Sequence, residues 1–211
     1  MKRDRLPIVG LVAEPGEFHF IRSDGTQFFG NLNVSGGGVS ANFTGAAPAG
    51  FVFADGSTTG TGSLSGTIQS RISLNGTLNF TTSRGNATTS NISLTFNPVY
   101  NRASSLTTIA GNYRDTSTNA VVNVNSNGVV FSQDASTGCV INGTVATINA
   151  AYNAYRVEYS FSGCRPPYGL LNGTTARGLA TLDNTETPER VIIGVVNGSA
   201  GYSLAGSFPR T

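Results

Sequence analysis

The sequence predicts an all-β protein, built from antiparallel β-barrel or β-sandwich meanders. Short segments of alternating apolar and polar residues recur along nearly the whole chain, and Gly, Asn or Asp separate them. Gly, Thr, Ser and Asn make up about 45% of the 211 residues. This composition suits hairpin turns and the solvated faces of strands.

The alternation predicts individual strands. In the first half, the predicted strands cover residues 17–21, 39–43, 64–68, 74–80 and 92–96. In the second half, they cover residues 121–124, 128–131, 156–161, 179–182, 191–196 and 202–208. Because glycine inside a strand often marks a bulge or a bend, such irregularities are predicted at Gly66, Gly76, Gly173, Gly178, Gly194 and Gly206.

One stretch, residues 100–111, has a helical pattern. Ser104 or Ser105 could accept hydrogen bonds at its start, and Gly111 could end it. A short helical turn near the middle of the chain is the best place for a domain boundary. We therefore expect an N-terminal antiparallel β domain, a short helical linker and a C-terminal β-barrel-like domain with one disulfide, over residues 1–99, 100–111 and 112–211.

The composition excludes several classes of protein. With 12 Phe, 7 Tyr and a net charge of only +2, the chain is not of the disordered type. Ala, Glu, Lys, Leu and Arg are too sparse for a coiled coil. A charge of +2 without a basic stripe also gives no reason to expect a nucleic-acid partner.

The two cysteines, Cys139 and Cys164, predict one disulfide. An even cysteine count in a β chain rich in Gly, Thr and Ser is typical of an oxidising compartment. The alternative is a pair of buried free thiols. Because two cysteines and the sole histidine, His19, do not have the spacing of a zinc site, we expect neither a metal nor a cofactor.

The N-terminus begins with positive charge but lacks the apolar run and the small-residue cleavage site of a signal peptide. No apolar run is long enough for a transmembrane helix. The rest of the chain is typical of export, which predicts a mature or truncated form in the periplasm, at the outer-membrane surface or outside the cell. A transmembrane β-barrel is the alternative, although the chain has no Trp for aromatic girdles.

Nine Asn-x-Ser/Thr motifs match the acceptor pattern for N-glycosylation. Three of them are Asn-Gly-Thr, at residues 75–77, 142–144 and 172–174. Asn-Gly favours a tight hairpin turn, and Thr favours the strand that follows. We therefore interpret these three motifs mainly as turns or bulges.

Tyrosines and prolines near the second cysteine predict a contact surface, because Tyr supplies rigid area together with a hydroxyl group. The candidate contact residues are Tyr155, Tyr159, Arg165, Pro166, Pro167 and Tyr168. The alternative is that the tyrosines are ordinary strand residues and that the prolines only stiffen a loop.

No pattern indicates catalysis, and we expect the protein not to be an enzyme. His19 alternates with Phe18 and Phe20, so it faces away from both and is expected at the surface or rim of the sheet. The acids are scattered along the chain, and no Gly-x-Ser-x-Gly motif occurs between a predicted strand and a helix.

Several motifs follow an order that is shared with a known group of proteins. They occupy residues 16–18, 24–26, 100–113, 127–128, 136–145, 153–157, 164 and 178–180. In this order the chain resembles an uncharacterised family of proteobacterial secreted and envelope lipoproteins. The resemblance implies export, an all-β fold and often a lipid anchor on an N-terminal cysteine, but no catalytic residues. Because no cysteine precedes Cys139, no anchor can be assigned in this chain.

These expectations favour a non-enzymatic exported bacterial envelope or extracellular protein that acts through protein contacts, as a surface accessory, an adhesin-like protein or an assembly subunit. Its partners would be other envelope or extracellular proteins, or a second copy that adds to an exposed strand edge. The alternative is a lipocalin-like barrel that binds a small apolar ligand. Such a barrel would need a continuous apolar cavity of some hundreds of Å³.

Overall fold

The computed structural model describes residues 7–116, 118–198 and 201–211. Strands make up 57% of the structure and helices 6%, which confirms the all-β class. The first half of the chain contributes β1 (Ile8–Ala13), β2 (Glu17–Arg22), β3 (Gln27–Asn31), β4 (Asn33–Ser35), β5 (Gly38–Pro48), β6 (Thr59–Gln69), β7 (Ser73–Thr82) and β8 (Ala87–Thr95). The second half contributes β9 (Gly111–Arg114), β10 (Val121–Val124), β11 (Val129–Gln133), β12 (Val140–Thr147), β13 (Tyr155–Ser162), β14 (Thr175–Asp183), β15 (Arg190–Asn197) and β16 (Tyr202–Pro209).

The first half is an antiparallel meander in the order β1-β2-β3-β5-β6-β7-β8, with the short strand β4 paired to β5. The second half is an antiparallel meander in sequence order from β9 to β16. The outer edges of β9 and β16 meet at an isolated bridge between Tyr113 and Arg210.

The two meanders join through β5. β5 and β6 are the longest strands of the first half. The end of β5 pairs in parallel with the start of β16, where Ala47 is opposite Tyr202 and Pro48 is opposite Ser203. The sixteen described strands thus belong to one mixed sheet, and that sheet is not closed. The barrel in the sequence-based expectation is therefore not confirmed.

Each meander curls around its own apolar core. The first core is rich in phenylalanine, with Phe28, Phe43 and Phe80 in edge-to-face or stacked contact at centroid distances of 5.3 to 6.3 Å. The second core contains Tyr113 and Tyr155, both with no exposed surface. Each fully buried side chain of this size stabilises the fold by about 1.5–3 kcal/mol relative to an exposed one.

A third apolar cluster lies between the two meanders. Leu11 and Ala13 of β1 pack there against Ala154 and against Leu179 of β14. Because strand residues alternate between faces, β14 buries one face in the second core and presents Leu179 on the other. The outer face of β14 is therefore covered by the first half of the chain.

The strand glycines do not mark bulges. Gly66 of β6 is directly opposite Gly76 of β7, and Gly178 of β14 is directly opposite Val195 of β15, in a register that stays one-to-one on both sides. These glycines instead leave room for neighbouring groups, since a Cβ on Gly76 would lie only 3.1 Å from Leu64 Cδ1. The predicted bulges are therefore wrong at these positions.

Two of the three Asn-Gly-Thr motifs are also placed differently from the prediction. Residues 75–77 lie inside β7 and residues 142–144 lie inside β12, so neither motif forms a turn. Only the third does: Gly173 has a φ of +74°, which favours glycine, and lies between a 3-10 helix (Tyr168–Leu171) and β14. Strand pairing on both sides overrode the local turn preference in the first two cases.

The helical segment between the meanders confirms the predicted helical turn. A 3-10 helix covers Pro98–Asn101, and α1 covers Leu106–Ile109. The Ser105 side chain accepts a hydrogen bond from the backbone N–H of Thr108 at 3.0 Å and caps α1, whereas Ala110 rather than a glycine ends the helix. Because the sheet is continuous through β5 and β16, division of the chain into two separate domains stays a prediction.

Candidate functional site

The disulfide between Cys139 and Cys164 is present, as the sequence predicts. It fits an oxidising, exported location. The loop that follows it, residues 165–168, is held by backbone hydrogen bonds: Arg165 N–H donates to the Thr137 carbonyl and Tyr168 N–H donates to the Arg165 carbonyl, both at 2.8 Å. The loop therefore presents its side chains on a fixed backbone.

Two hydrogen bonds between the Asn172 side chain and the Cys164 backbone also stabilise this loop. The Asn172 carbonyl Oδ1 accepts from Cys164 N–H at 2.8 Å, and its Nδ2 donates to the Cys164 carbonyl at 2.9 Å. Within this loop, Arg165, Pro166 and Pro167 are exposed and Tyr168 is partly exposed. Four of the six predicted contact residues are therefore accessible.

The other two predicted contact residues, Tyr155 and Tyr159, lie in the second core with 0% and 7% of their surface exposed. They share one face of β13 with Val157, and this apolar face points inward while Arg156 on the opposite face is exposed. Burial raises the pKa of the Tyr159 hydroxyl. As core residues, both tyrosines are excluded from the contact surface.

The structure adds an apolar loop tip that the sequence reasoning missed. Phe51 and Val52 follow the end of β5, and 63% and 60% of their surfaces are exposed. Among the described residues, they and Ile72 are the most exposed large hydrophobic side chains. In the sequence they begin a run of four apolar residues, Phe51 to Ala54, that lies between Gly50 and Asp55 and shows no alternation with polar residues.

The Phe51–Val52 tip lies next to the proline loop of the second half. A Cβ on Gly50 would be 3.6 Å from Pro167 Cγ and 3.8 Å from Tyr168 Cε1. Residues from the two halves of the sequence thus form one exposed patch. We call it the loop surface, and it comprises Phe51, Val52, Pro166, Pro167 and Tyr168.

Hydrogen bonds also hold the Phe51–Val52 tip. Asp55 Oδ1 accepts from the Ser57 hydroxyl at 2.6 Å and from Ser57 N–H at 3.0 Å, and Asp55 Oδ2 accepts from the Thr82 hydroxyl. These donors, Ser57 and then Thr82, lower the pKa of the Asp55 carboxyl to about 2. Arg84 Nη1 donates to the Asp55 carbonyl at 2.6 Å, so the loop is tied to the turn after β7.

A depression of about 300 Å³ lies beside Phe51 and Val52. Its wall includes Pro48 and the ion pair between Arg22 and Asp24, in which Nη2 and Oδ2 are 2.7 Å apart. An apolar tip next to a shallow pocket with polar groups is the arrangement that protein interfaces use for their central contacts.

A larger concave feature, which we call the interhalf groove, is lined by residues of β1, the turn between β6 and β7, the end of β8, β14 and β15. It has a volume of about 790 Å³, within the range of small-molecule sites. Its apolar lining includes Ile8, Leu11, Leu32, Val34, Ile68, Ile72, Leu74, Leu94, Phe96, Val99, Leu179 and Ile192. The interior of the second meander, by contrast, is filled by core side chains.

Three aromatic rings form one end of the interhalf groove. Tyr100 and Tyr152 are stacked with centroids 4.9 Å apart, and Phe96 meets Tyr100 edge-on at 6.3 Å. Burial, followed by the nearby Glu14 charge, raises the pKa of the Tyr100 hydroxyl. The buried Asn153 side chain fixes this end, since its Nδ2 donates to the Leu182 carbonyl at 2.7 Å.

His19 is not at the surface, as the alternation had suggested, but is 3% exposed. Phe18 and Phe20 do face the first core, so the alternation itself is correct. The opposite face of β2 is covered by β14 and β15, and a Cβ on Gly178 would lie 2.9 Å from His19 Cε1. The burial of His19 could not be predicted from the sequence, because it depends on contact between the two halves of the chain.

A buried hydrogen-bond chain runs from His19 through Gln27 to the second half of the chain. Its Nδ1 lies 3.0 Å from Gln27 Oε1, and Gln27 Nε2 donates to the Val195 and Leu204 carbonyls, each at 3.0 Å. Because Gln27 Oε1 only accepts, Nδ1 carries the proton. Burial lowers the pKa of His19, although the Gln27 hydrogen bond and the Glu17 carboxylate oppose this.

Other kinds of site find no geometric support in the part of the chain that the structure describes. No three His, Cys, Asp or Glu side chains there converge on a position that could hold a metal ion. Among the same residues, no helix combines the length and the hydrophobicity needed to cross a membrane.

Comparison of the chain with protein-family models, with curated proteins and with solved structures finds no match. The resemblance to proteobacterial envelope proteins therefore stays an expectation. Functional inference for this chain must come from its own geometry.

Proposed function

We propose that this chain is a non-enzymatic exported protein of the bacterial envelope or the extracellular space, which binds another protein through the loop surface. The observation that carries this proposal is the exposure of Phe51 and Val52, 63% and 60%, on a loop whose Gly50 lies beside Pro167 and Tyr168. Exposed apolar side chains in a contiguous patch are typical of interaction sites.

Rigidity of the loop surface supports the same proposal. The disulfide and Asn172 hold one loop, and Asp55 holds the other. A surface that is already ordered loses little conformational entropy when it binds. The partner would be another envelope or extracellular protein, and the disulfide supports a periplasmic, outer-membrane or extracellular location.

Site-specific crosslinking tests the proposal. A photoreactive benzophenone amino acid replaces Phe51 in one variant and Phe131 in the other. Phe131 lies on β11 and is 46% exposed, so it is a matched exposed phenylalanine outside the loop surface. We expect a discrete crosslinked partner from position 51 and none from position 131 in cells of the source organism.

The affinity of the crosslinked partner provides the second measurement. Phe51→Ser should weaken binding roughly tenfold or more, because central aromatic residues dominate interface energies. Phe131→Ser should leave binding unchanged. Equal crosslinking at both positions, or equal affinity of both serine variants, would contradict the proposal.

The edge strand β8 supports a second candidate, in which the partner is another copy of the chain. In the described structure β8 pairs with β7 alone, and its nine residues include no proline and no charged side chain. Such an unprotected edge is a template for strand addition.

Light scattering over a range of concentrations tests this second candidate. Asn91→Lys places a charge on β8 and should shift self-association towards the monomer. Asn123→Lys is the control, because Asn123 lies on β10, which has partner strands on both sides. A wild-type protein that stays monomeric at the highest concentration would rule out the self-association.

A further inference from the structure

Three charged side chains line the interhalf groove, and two of them, both carboxylates, already accept hydrogen bonds. Glu14 Oε2 accepts a hydrogen bond from Asn149 Nδ2 at 3.0 Å. Asp183 Oδ1 accepts from the Thr185 N–H at 2.9 Å and from the Thr185 hydroxyl at 2.7 Å. Arg71, the third, has neither a hydrogen bond nor an ion pair with any residue that the structure describes.

Arg71 and Ile72 line one part of the groove, which we call its mouth. Arg71 has a φ of +56°, a conformation that is uncommon for a residue other than glycine. It lies in the tight turn between β6 and β7, which a 2.9 Å hydrogen bond from Ile72 N–H to the Gln69 carbonyl closes. Ile72, beside it, is 60% exposed. The mouth therefore combines a cation that has no acidic partner in the described structure with an exposed apolar side chain.

Apolar side chains provide most of the groove's accessible surface, and the polar side chains that also line it include Gln69, Ser70, Ser73, Ser93, Thr95, Asn97 and Thr181. Ile68, Leu74 and Leu94 line the wall formed by the first half, and Val34 at the rim is 57% exposed. Against the apolar part of this lining, a bound peptide would leave amide groups without partners, which is costly. A hydrocarbon chain has no such groups and gains from burial.

We infer that the interhalf groove binds an anionic amphiphile with a long hydrocarbon chain, a fatty acid or an equivalent acyl compound, whose charged group pairs with Arg71. The head group is assigned to Arg71 because Arg71 is the only cationic side chain in the lining of the groove and has no acceptor among the described residues, whereas Glu14 and Asp183 accept hydrogen bonds from neutral donors. The hydrocarbon chain then lies along the apolar lining of the groove, and Phe96, whose N–H donates to the Ile72 carbonyl at 2.8 Å, lies at the Arg71 end. This binding site is separate from the loop surface.

Palmitate and cetyl alcohol test the inference, since they share a hydrocarbon chain and differ in the carboxylate. Equilibrium dialysis with radiolabelled palmitate should show saturable binding to the wild-type protein. Arg71→Gln should weaken palmitate binding roughly three- to fivefold, as expected for an exposed ion pair, and should leave cetyl alcohol binding unchanged. Arg114→Gln, at an exposed arginine on β9, is the control and should change neither affinity.

A second pair of variants tests the apolar part of the groove. Val34→Gln should weaken binding of both ligands, because it replaces an apolar rim residue by a polar one. Val129→Gln alters a valine of similar exposure, 50%, outside the groove and should change neither affinity. Far-UV circular dichroism confirms that all four variants are folded.

Two outcomes would overturn the inference. The first is the absence of saturable palmitate binding to the wild-type protein. The second is equal palmitate affinity of wild type and Arg71→Gln, which would remove the assigned head-group contact. Neither outcome bears on the loop surface, because Arg71 and Val34 lie outside it.

Discussion

Arg210 Nη2 donates a 2.8 Å hydrogen bond to the hydroxyl of Tyr113, and this contact joins the last strand of the second meander to its first. The Tyr113 hydroxyl in turn donates to the Ile109 carbonyl at 2.6 Å, at the end of α1. Arg210 Nη1 also forms an ion pair with Glu189 Oε2 at 2.9 Å. One arginine near the C-terminus thus connects β16, β9 and the helical segment.

Removal of the Tyr113 hydroxyl should destabilise the fold. Tyr113→Phe leaves the Ile109 carbonyl and one Arg210 N–H without their buried partner, which should cost about 1.5–3 kcal/mol in the free energy of unfolding. Urea denaturation measures this change. Tyr202→Phe is the control, since no hydrogen bond of the Tyr202 hydroxyl occurs in the described structure, and it should change stability by less than about 0.5 kcal/mol.

Stability should fall as the pH falls through the range in which His19 titrates. Burial holds the pKa of His19 below its unfolded value of 6.5, so the unfolded chain binds the proton more tightly. The stabilisation is fully present above pH 6.5 and is lost as pH decreases towards the lower folded pKa.

Thermal unfolding between about pH 8 and pH 5 measures this effect, because a histidine with an ordinary pKa changes its charge in that range. Since His19 is the only histidine, His19→Gln should flatten the stability profile there. An unchanged slope in the variant would show that another group is responsible.

A methyl group at Gly194 should force the two halves apart. A Cβ there would lie 2.7 Å from Ile21 Cδ1 and 2.9 Å from Gln27 Oε1, across the contact between β15 and β2. We expect Gly194→Ala to cost about 1–3 kcal/mol, as overpacking does elsewhere. Gly198→Ala is the control, because its Cβ meets open space, and it should be neutral or slightly stabilising. Differential scanning calorimetry of both variants measures the change.

Loss of the disulfide should lower stability by about 3.5 kcal/mol, given the 25-residue separation of its cysteines. The double variant Cys139→Ala/Cys164→Ala and the reduced wild-type protein should show similar losses in guanidinium denaturation. A loss below about 1 kcal/mol in both would indicate that Asn172 and the backbone hydrogen bonds hold the loop without the disulfide.

The Asp55 carboxyl should titrate at about 2 in an NMR pH series. Thr82→Val removes one hydroxyl donor from the carboxylate, so the pKa should rise towards 3.8. Thr89→Val is the control, because the Thr89 hydroxyl donates to Asn79 and not to Asp55. Equal midpoints in the two variants would contradict the assigned hydrogen bond.

Local pattern was sufficient to predict many elements. The alternation at residues 156–161 identified β13, and a serine followed by a short apolar pattern identified the helical turn with Ser104 or Ser105 as its cap, of which the structure selects Ser105. These features depend on residues that are near one another in the chain. The disulfide also followed from the sequence, since the chain has only two cysteines.

Other features could not be predicted because they depend on neighbours far away in sequence. Gly76 and Gly143 look like turn residues, yet each lies in a strand, where Leu64 and Tyr159 respectively pack against the glycine. Tyr155 looks like a contact residue, but the face it shares with Tyr159 is buried.

By itself, the sequence determined the all-β class, most strand positions, a helical turn capped by Ser104 or Ser105, and the disulfide, because period-2 alternation, hydroxyl capping and cysteine count act locally. Only the tertiary structure decided that His19 is buried and that Phe51 lies beside Pro167. Both results come from the packing of one half of the chain against the other, and the free energy of that packing depends on surfaces that no single segment contains.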